Sequence, residues 1–129
     1  METHLRLFRA DQVREIDRRA IAACGEDGFG LMSAAAMAAY RRLRANWPEA
    51  RRLLVCVGPG NNGGDGLVLA AIAKREGLDV WTVSIGADRS PSGSAREARE
   101  MADAAGVVES AWLGSESGVR VELLSQGSE

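Results

Sequence analysis

Histidine and cysteine are scarce in this chain, and it has no excess of positive charge. Each lack closes off a class of function. The single histidine is His4, in the N-terminal stretch, so a Ser–His–Asp hydrolase would have to recruit its base from a chain end. The two cysteines, Cys24 and Cys56, make neither a disulfide framework nor a metal-ligand spacing. Cys56 falls in the middle of an apolar run, where a buried thiol is expected to act as a small hydrophobe. Sixteen basic residues against eighteen acidic ones give a net charge of −2. That balance excludes a nucleic-acid binder driven by phosphate neutralisation. No apolar run approaches membrane length, and Met1-Glu2-Thr3-His4 is not followed by the apolar core of a signal peptide. The expectation is a cytoplasmic protein with no membrane and no nucleic acid among its partners. No internal repeat is present.

What the chain does have is a concentration of glycine in one place. Gly58-Pro59-Gly60-Asn61-Asn62-Gly63-Gly64-Asp65-Gly66 has glycine at five of its nine positions. It follows the β-branched run Leu53–Val57 and precedes an apolar helical pattern that runs to Glu76. Glycine opens backbone conformations that other residues avoid, so several N–H groups can converge on one ligand. The start of the following helix adds partial positive charge. Asn61 and Asn62 add amide donors and acceptors, and Asp65 adds a carboxylate. A special loop after a strand points to binding.

The rest of the chain, 129 residues long, reads as one domain of average charge and hydrophobicity. Asp11 is the expected N-cap of a first helix with the apolar stripe Val13, Ile16, Ala20, Ile21 and Cys24, stopped at Gly25. A loop is expected over 26–30. An alanine-rich second helix is expected from Leu31 to Asn46, closed by Trp47-Pro48. Arg41, Arg42 and Arg44 read as its solvated face. Strands are expected over 53–57 and 80–85, with a helix over 66–76 between them and a loop over 88–93. A fourth helix is expected over 94–105. This order predicts parallel strands with a right-handed crossover. The strand ending at Val57 is expected to be central, and the continuous apolar character of both strands predicts burial on two faces. Val107-Val108 leads toward a third strand. Residues 110–118 read as loop, 119–124 as a short strand and 125–129 as a disordered end. A sheet of two or three strands has poorly covered edges, so the chain reads as the front part of a larger doubly wound domain.

The segment Val57-Gly58-Pro59-Gly60-Asn61-Asn62-Gly63-Gly64-Asp65-Gly66-Leu67-Val68 resembles the signature of the NAD(P)H-hydrate epimerase family, the YjeF N-terminal domain. The flanks agree through Gln12-Val13-Arg14-Glu15-Ile16-Asp17 and Leu31-Met32, and the likeness runs from residue 7 to 106. The resemblance implies a three-layer α/β/α Rossmann-like domain with a mainly parallel sheet, incomplete in this chain and preceded by two helices. It implies an isomerase that interconverts the R and S forms of hydrated NADH and NADPH. It also implies a potassium ion as cofactor, pairing into homodimers, and a functional link to an ATP- or ADP-dependent dehydratase. Carried over by position, Asn61, Asn62, Gly63, Gly64 and Asp65 match the substrate-binding loop, and Asn62 also matches a potassium ligand. No catalytic residue is assigned.

Two departures bear on turnover. Ser33 and Ala34 stand where the family has Glu and Asn. Nothing after Gly106 matches the Asp-containing stretch that supplies the second potassium ligand and the catalytic carboxylate. The 129 residues alone are therefore expected to turn over little, and the alternative is a truncated or degenerate, non-catalytic binding or interaction module of the same fold. A dinucleotide oxidoreductase fits less well. Gly58, Gly60 and Gly63 have its spacing, but the second strand ends Ser84-Ile85-Gly86 without the usual acid. A P-loop nucleotidase lacks its Lys-Ser or Lys-Thr.

Overall fold

The computed structural model describes residues 6–24, 28–86, 93–115 and 118–123. The elements run α1 (Ala10–Cys24), α2 (Phe29–Asn46), β1 (Arg52–Val57), α3 (Asn61–Arg75), β2 (Asp79–Ser84), α4 (Ser94–Ala104), β3 (Val108–Ser115) and β4 (Gly118–Leu123). His4, the stop at Gly25, the loop at 88–93 and the end at 125–129 lie outside the described residues or mostly so.

The sheet has the order β1-β2-β3-β4. β1 and β2 are parallel from Arg52↔Asp79 to Val57↔Ser84, as the strand–helix–strand order requires. β3 is also parallel to β2, and β4 is antiparallel to β3. Two expectations fail. β1 is an edge strand of this sheet, not a central one. The stretch expected as a loop at 110–118 is mostly strand. Its serine and glycine content argues against β structure, but pairing with β4 along 110–115, joined by β2 at Ser110 and Ala111, overrides so weak a preference.

α3 is the helix around which the others gather. Gly63, Gly64, Leu67, Val68, Ala70, Ala71, Ile72 and Ala73 are all buried, so it is apolar nearly all round. It packs on α2, α4, β1 and β2. Its alanines and glycines bring these neighbours close. Fully burying a side chain such as Val68 contributes about 1.5–3 kcal/mol. α2 faces this core with Met32, Ala36 and Tyr40, at helical spacing, and α4 with Ala98 and Ala102.

β1 presents Leu53, Val55 and Val57 to the helices, while Arg52, Leu54 and Cys56 are exposed. Leu54 is 60% exposed. The expected burial on two faces thus holds for β2, where Val80, Thr82 and Val83 are buried, but not for β1. Cys56 is correspondingly an exposed thiol, not a buried one. The physical reason is that no described element covers that side of β1.

α1 begins one residue before the expected cap. Arg9 takes the cap position, its carbonyl accepting the Val13 N–H at 3.0 Å. The Gln12 side chain accepts the Arg9 N–H at 2.9 Å, the reciprocal arm of a capping box. Asp11 lies within the first turn, paired with Arg9. The apolar stripe of α1 is present but open: Val13 and Ile16 are exposed and Ile21 is half-buried.

Candidate functional site

β1 ends at Val57, and only Gly58, Pro59 and Gly60 separate it from α3. The expected loop over 58–66 is therefore shorter than the sequence suggested. Asn61, Asn62, Gly63, Gly64 and Asp65 are the first five residues of α3. Gly60 is the N-cap, with φ 94° and ψ −164°, a backbone state closed to most side chains. It offers no side-chain acceptor to the helix start. The first N–H groups of α3 thus have no side-chain cap, and the helix dipole concentrates positive potential around them.

Gly63 and Gly64 are glycines for lack of room rather than for φ. A Cβ on Gly63 would lie 2.0 Å from the Gly58 carbonyl oxygen, so the turn closes directly onto the helix. A Cβ on Gly64 would lie 2.5 Å from Met32 Cε and 3.3 Å from Ala95 Cα, so α2 and α4 close in from the other side. On the β2 side, the Ile85 N–H donates to the Val57 carbonyl at 2.8 Å, and Gly86 lies against the Pro59 ring. The helix start is held from the turn, from two helices and from the end of β2.

The structure brings Asn61, Asn62 and Asp65 together on one end of α3. Asn61 and Asn62 are exposed, and Asp65 is half-buried. Burial, and secondarily the negative charge of Asp17 on α1, raise the Asp65 carboxyl above the ordinary aspartate value. Asp17 is a neighbour the sequence reading did not place at the site. Nor did it find a second group. The Ser84 hydroxyl, on the last residue of β2, donates to Glu109 at 2.6 Å, and Arg99 from α4 donates to the other Glu109 oxygen at 2.5 Å. Burial pushes the Glu109 carboxyl up, but Ser84 and Arg99 outweigh it and hold it below the ordinary glutamate value. These residues are far apart in the sequence and share no motif, so only the fold could reveal them.

Asn62 offers an exposed amide oxygen, a neutral hard ligand suited to an alkali cation. Among the described residues no group of three or more His, Cys, Asp or Glu side chains could hold a metal ion. None of the described helices is long and apolar enough to cross a membrane.

A parallel strand–turn–helix unit with an open helix start defines the molecule as a Rossmann-like α/β domain. The same fold occurs in the crystal structure of yeast ynu0 (YNL200c), with a TM-score of 0.71 at 22% identity over 83% of this chain and 47% of that one. The family described as YjeF-related protein N-terminus matches residues 28–118, and the chain belongs to that family. Among its relatives is the bifunctional NAD(P)H-hydrate repair enzyme Nnr of Coxiella burnetii, 42% identical over 98 residues, which are 76% of this chain and 20% of that protein. The Escherichia coli protein of the same name is 40% identical over 73% of this chain and 18% of its own length. The NAD(P)H-hydrate epimerase of Rhodobacter capsulatus is 36% identical, covering 66% of this chain and 44% of that protein. The chain spans less than half the length of each.

Proposed function

We propose that this chain supplies the substrate-anchoring part of an NAD(P)H-hydrate epimerase, an isomerase of cofactor repair. The observation that carries the reading is the uncapped start of α3 at the Gly58–Gly60 turn, in a chain whose relatives are named for that activity. The turn and the first N–H groups of α3 would hold a phosphate of the cofactor. Asn61, Asn62, Gly63, Gly64 and Asp65 would line the substrate.

In the hydrate, the hydroxyl-bearing carbon adjoins the ring nitrogen. The nitrogen lone pair can expel the hydroxyl and leave an iminium-like species, and water returning to the other face inverts the centre. The leaving oxygen needs a proton and the returning water must lose one. Asp65 holds a proton more readily than an exposed aspartate and lies on the same helix end, where it would contact the substrate. Asn62 would hold a potassium ion, whose positive charge would stabilise developing negative charge at the site. A reaction on the cofactor pool fits a cytoplasmic protein, and that location belongs to the same proposal. The bifunctional names of two relatives support a link to a dehydratase, and pairing into a homodimer belongs to the same proposal.

The test is the rate of R-to-S interconversion, read by coupling to an S-specific dehydratase. The 129-residue chain is expected to bind hydrated cofactor and to accelerate its epimerisation only weakly. Loss of a placed general acid or base costs about 10²–10⁴-fold in rate. Calorimetry with hydrated cofactor and potassium should show binding that Asn62→Ala weakens. Equal binding by the two proteins would remove Asn62 from the site, and absence of binding by the parent chain would overturn the proposal.

A further inference from the structure

The sequence offers no acid at the end of β2, where folds that bind dinucleotides place the group that meets the adenosine ribose. The structure supplies one from elsewhere. Ser84 is the last residue of β2 and stands in register with Val57, the last residue before the turn. Two residues on, a Cβ on Gly86 would lie 3.3 Å from Pro59 Cδ of that turn, so the end of β2 runs beside it. The carboxylate of Glu109 reaches this point from β3, accepting the Ser84 hydroxyl at 2.6 Å. Arg99 from α4 holds the second carboxylate oxygen at 2.5 Å. The pair is not sealed off, since the Arg99 and Glu109 side chains are 27% and 37% exposed.

We infer that Ser84, Glu109 and Arg99 read the 2′ position of the adenosine ribose, Glu109 accepting a 2′-hydroxyl and Arg99 pairing with a 2′-phosphate. This rests on the cofactor-hydrate reading above. In an open α/β sheet a ligand lies outside the carboxyl ends of the strands. A dinucleotide with its pyrophosphate on the Gly58–Gly60 turn carries its adenosine ribose toward the neighbouring strand end, which is β2. Each carboxylate oxygen of Glu109 has one partner in the structure and retains a lone pair for a hydroxyl donor. A 2′-phosphate brings negative charge to the same place. Glu109 repels it, and the guanidinium of Arg99, with donors beyond the one used, can turn to it. The two ligand forms therefore lean on opposite members of one ion pair. A purely structural pair, fastening α4 to β3, would not distinguish them.

The experiment is calorimetry of the full chain with ADP-ribose and with its 2′-phosphate, neither of which carries the nicotinamide hydrate. Glu109→Gln should weaken ADP-ribose by about tenfold, the worth of a hydrogen bond to a charged group, and leave the 2′-phosphate equal or tighter. Arg99→Gln should do the reverse. Ser84→Ala, a milder change, should shift ADP-ribose in the same direction as Glu109→Gln, and circular dichroism of each variant will show that it is folded. A parallel loss for both ligands, or no change for either, would overturn the assignment while leaving the cofactor reading intact. If the parent chain bound neither ligand, the ribose assignment and the anchoring role of the turn would both fall. Binding of both ligands with epimerase activity absent would break the reading of the reaction alone.

Discussion

Replacing Gly63 by alanine adds one methyl group and should do more harm than a methyl anywhere else in the first turn of α3. The new Cβ would lie 2.0 Å from the Gly58 oxygen, 3.2 Å from its carbon and 3.2 Å from Val57 Cγ1. Real Cβ contacts hardly fall below 3.0 Å, and two of these three atoms are backbone with no rotamer to yield. The turn and the helix must therefore part by ~1 Å in a site packed at interior density. Overpacking of this kind costs about 1–3 kcal/mol. Alanine recovers up to ~1 kcal/mol over glycine in a helix. The balance is a destabilisation of about 1–2 kcal/mol, or a fall in Tm of about 3–10 °C for a chain of this length. Binding should suffer too, because the first N–H groups of α3 shift with the turn, and losing one hydrogen bond to a charged phosphate costs about tenfold or more. Urea unfolding and calorimetry with hydrated cofactor measure the two effects. Gly64→Ala is the control. Its closest contacts, at 2.5 and 2.7 Å, are to the flexible end of Met32, which can swing aside. A Gly63→Ala chain as stable as the parent, or more stable as helix preference alone would make it, would refute the close seating of the turn on α3.

Other outcomes follow from the same geometry. Asp65 has a raised folded pKa, so its ionised form is disfavoured in the fold: the penalty is absent below the unfolded value near 3.8 and complete once pH has risen through the folded value. Asp65→Asn should therefore hold or increase stability at neutral pH and lose that part of the pH dependence, as read by urea melts across the acid range. Greater loss of stability by the variant at pH 7 than at pH 3 would contradict this. Glu109 has the opposite sign, its folded pKa lying below 4.5. Its contribution is present above that value and disappears as pH falls through the folded one, so Arg99→Met should destabilise at neutral pH and lose its effect in acid. Cys56 should react with a maleimide in the native chain as readily as in urea, with Cys24→Ser in the background to isolate it; native protection would show that the outer side of β1 is covered.

The turn was legible in the sequence, and its purpose was misread in part. Glycine signals either positive φ or missing space, and a sequence does not say which. Gly60 is the first kind. Gly63 and Gly64 are the second, and their reasons lie at Gly58, Met32 and Ala95, of which the last two are more than thirty positions away or nearly so. Reading all of them as loop delayed the start of α3 from Asn61 to Gly66. The parallel β1–β2 pair was legible because its order and periodicity are local. The edge position of β1 was not, because Leu53–Val57 is apolar at every position and only the absence of a described neighbour reveals that Leu54 and Cys56 are exposed. Ser84, Glu109 and Arg99 were invisible for a third reason: they converge from β2, β3 and α4, and none is unusual where it stands.

The two halves of the proposed site differ in how firmly this chain holds them, and that difference separates binding from turnover. The anchoring half is fixed on every side described above: the turn closes on Gly63, α2 and α4 close on Gly64, and Ile85 ties the end of β2 back to Val57. Removing any one of these leaves the others, so the helix start should persist wherever this fold persists. The acid–base half has no such enclosure. Asp65 is half-buried and repelled by the negative charge of Asp17, which lies on α1, a helix whose apolar stripe is open, and Asn62 stands exposed. A proton-transfer group works only when geometry and water exclusion hold it in place. On the function proposed above, the described residues would hold the cofactor's phosphate end more firmly than the groups at its hydrated carbon. Binding should therefore survive in variants and lengths of chain in which epimerisation does not, with Asp65 and Asn62 as the positions where a covering segment would first raise the rate.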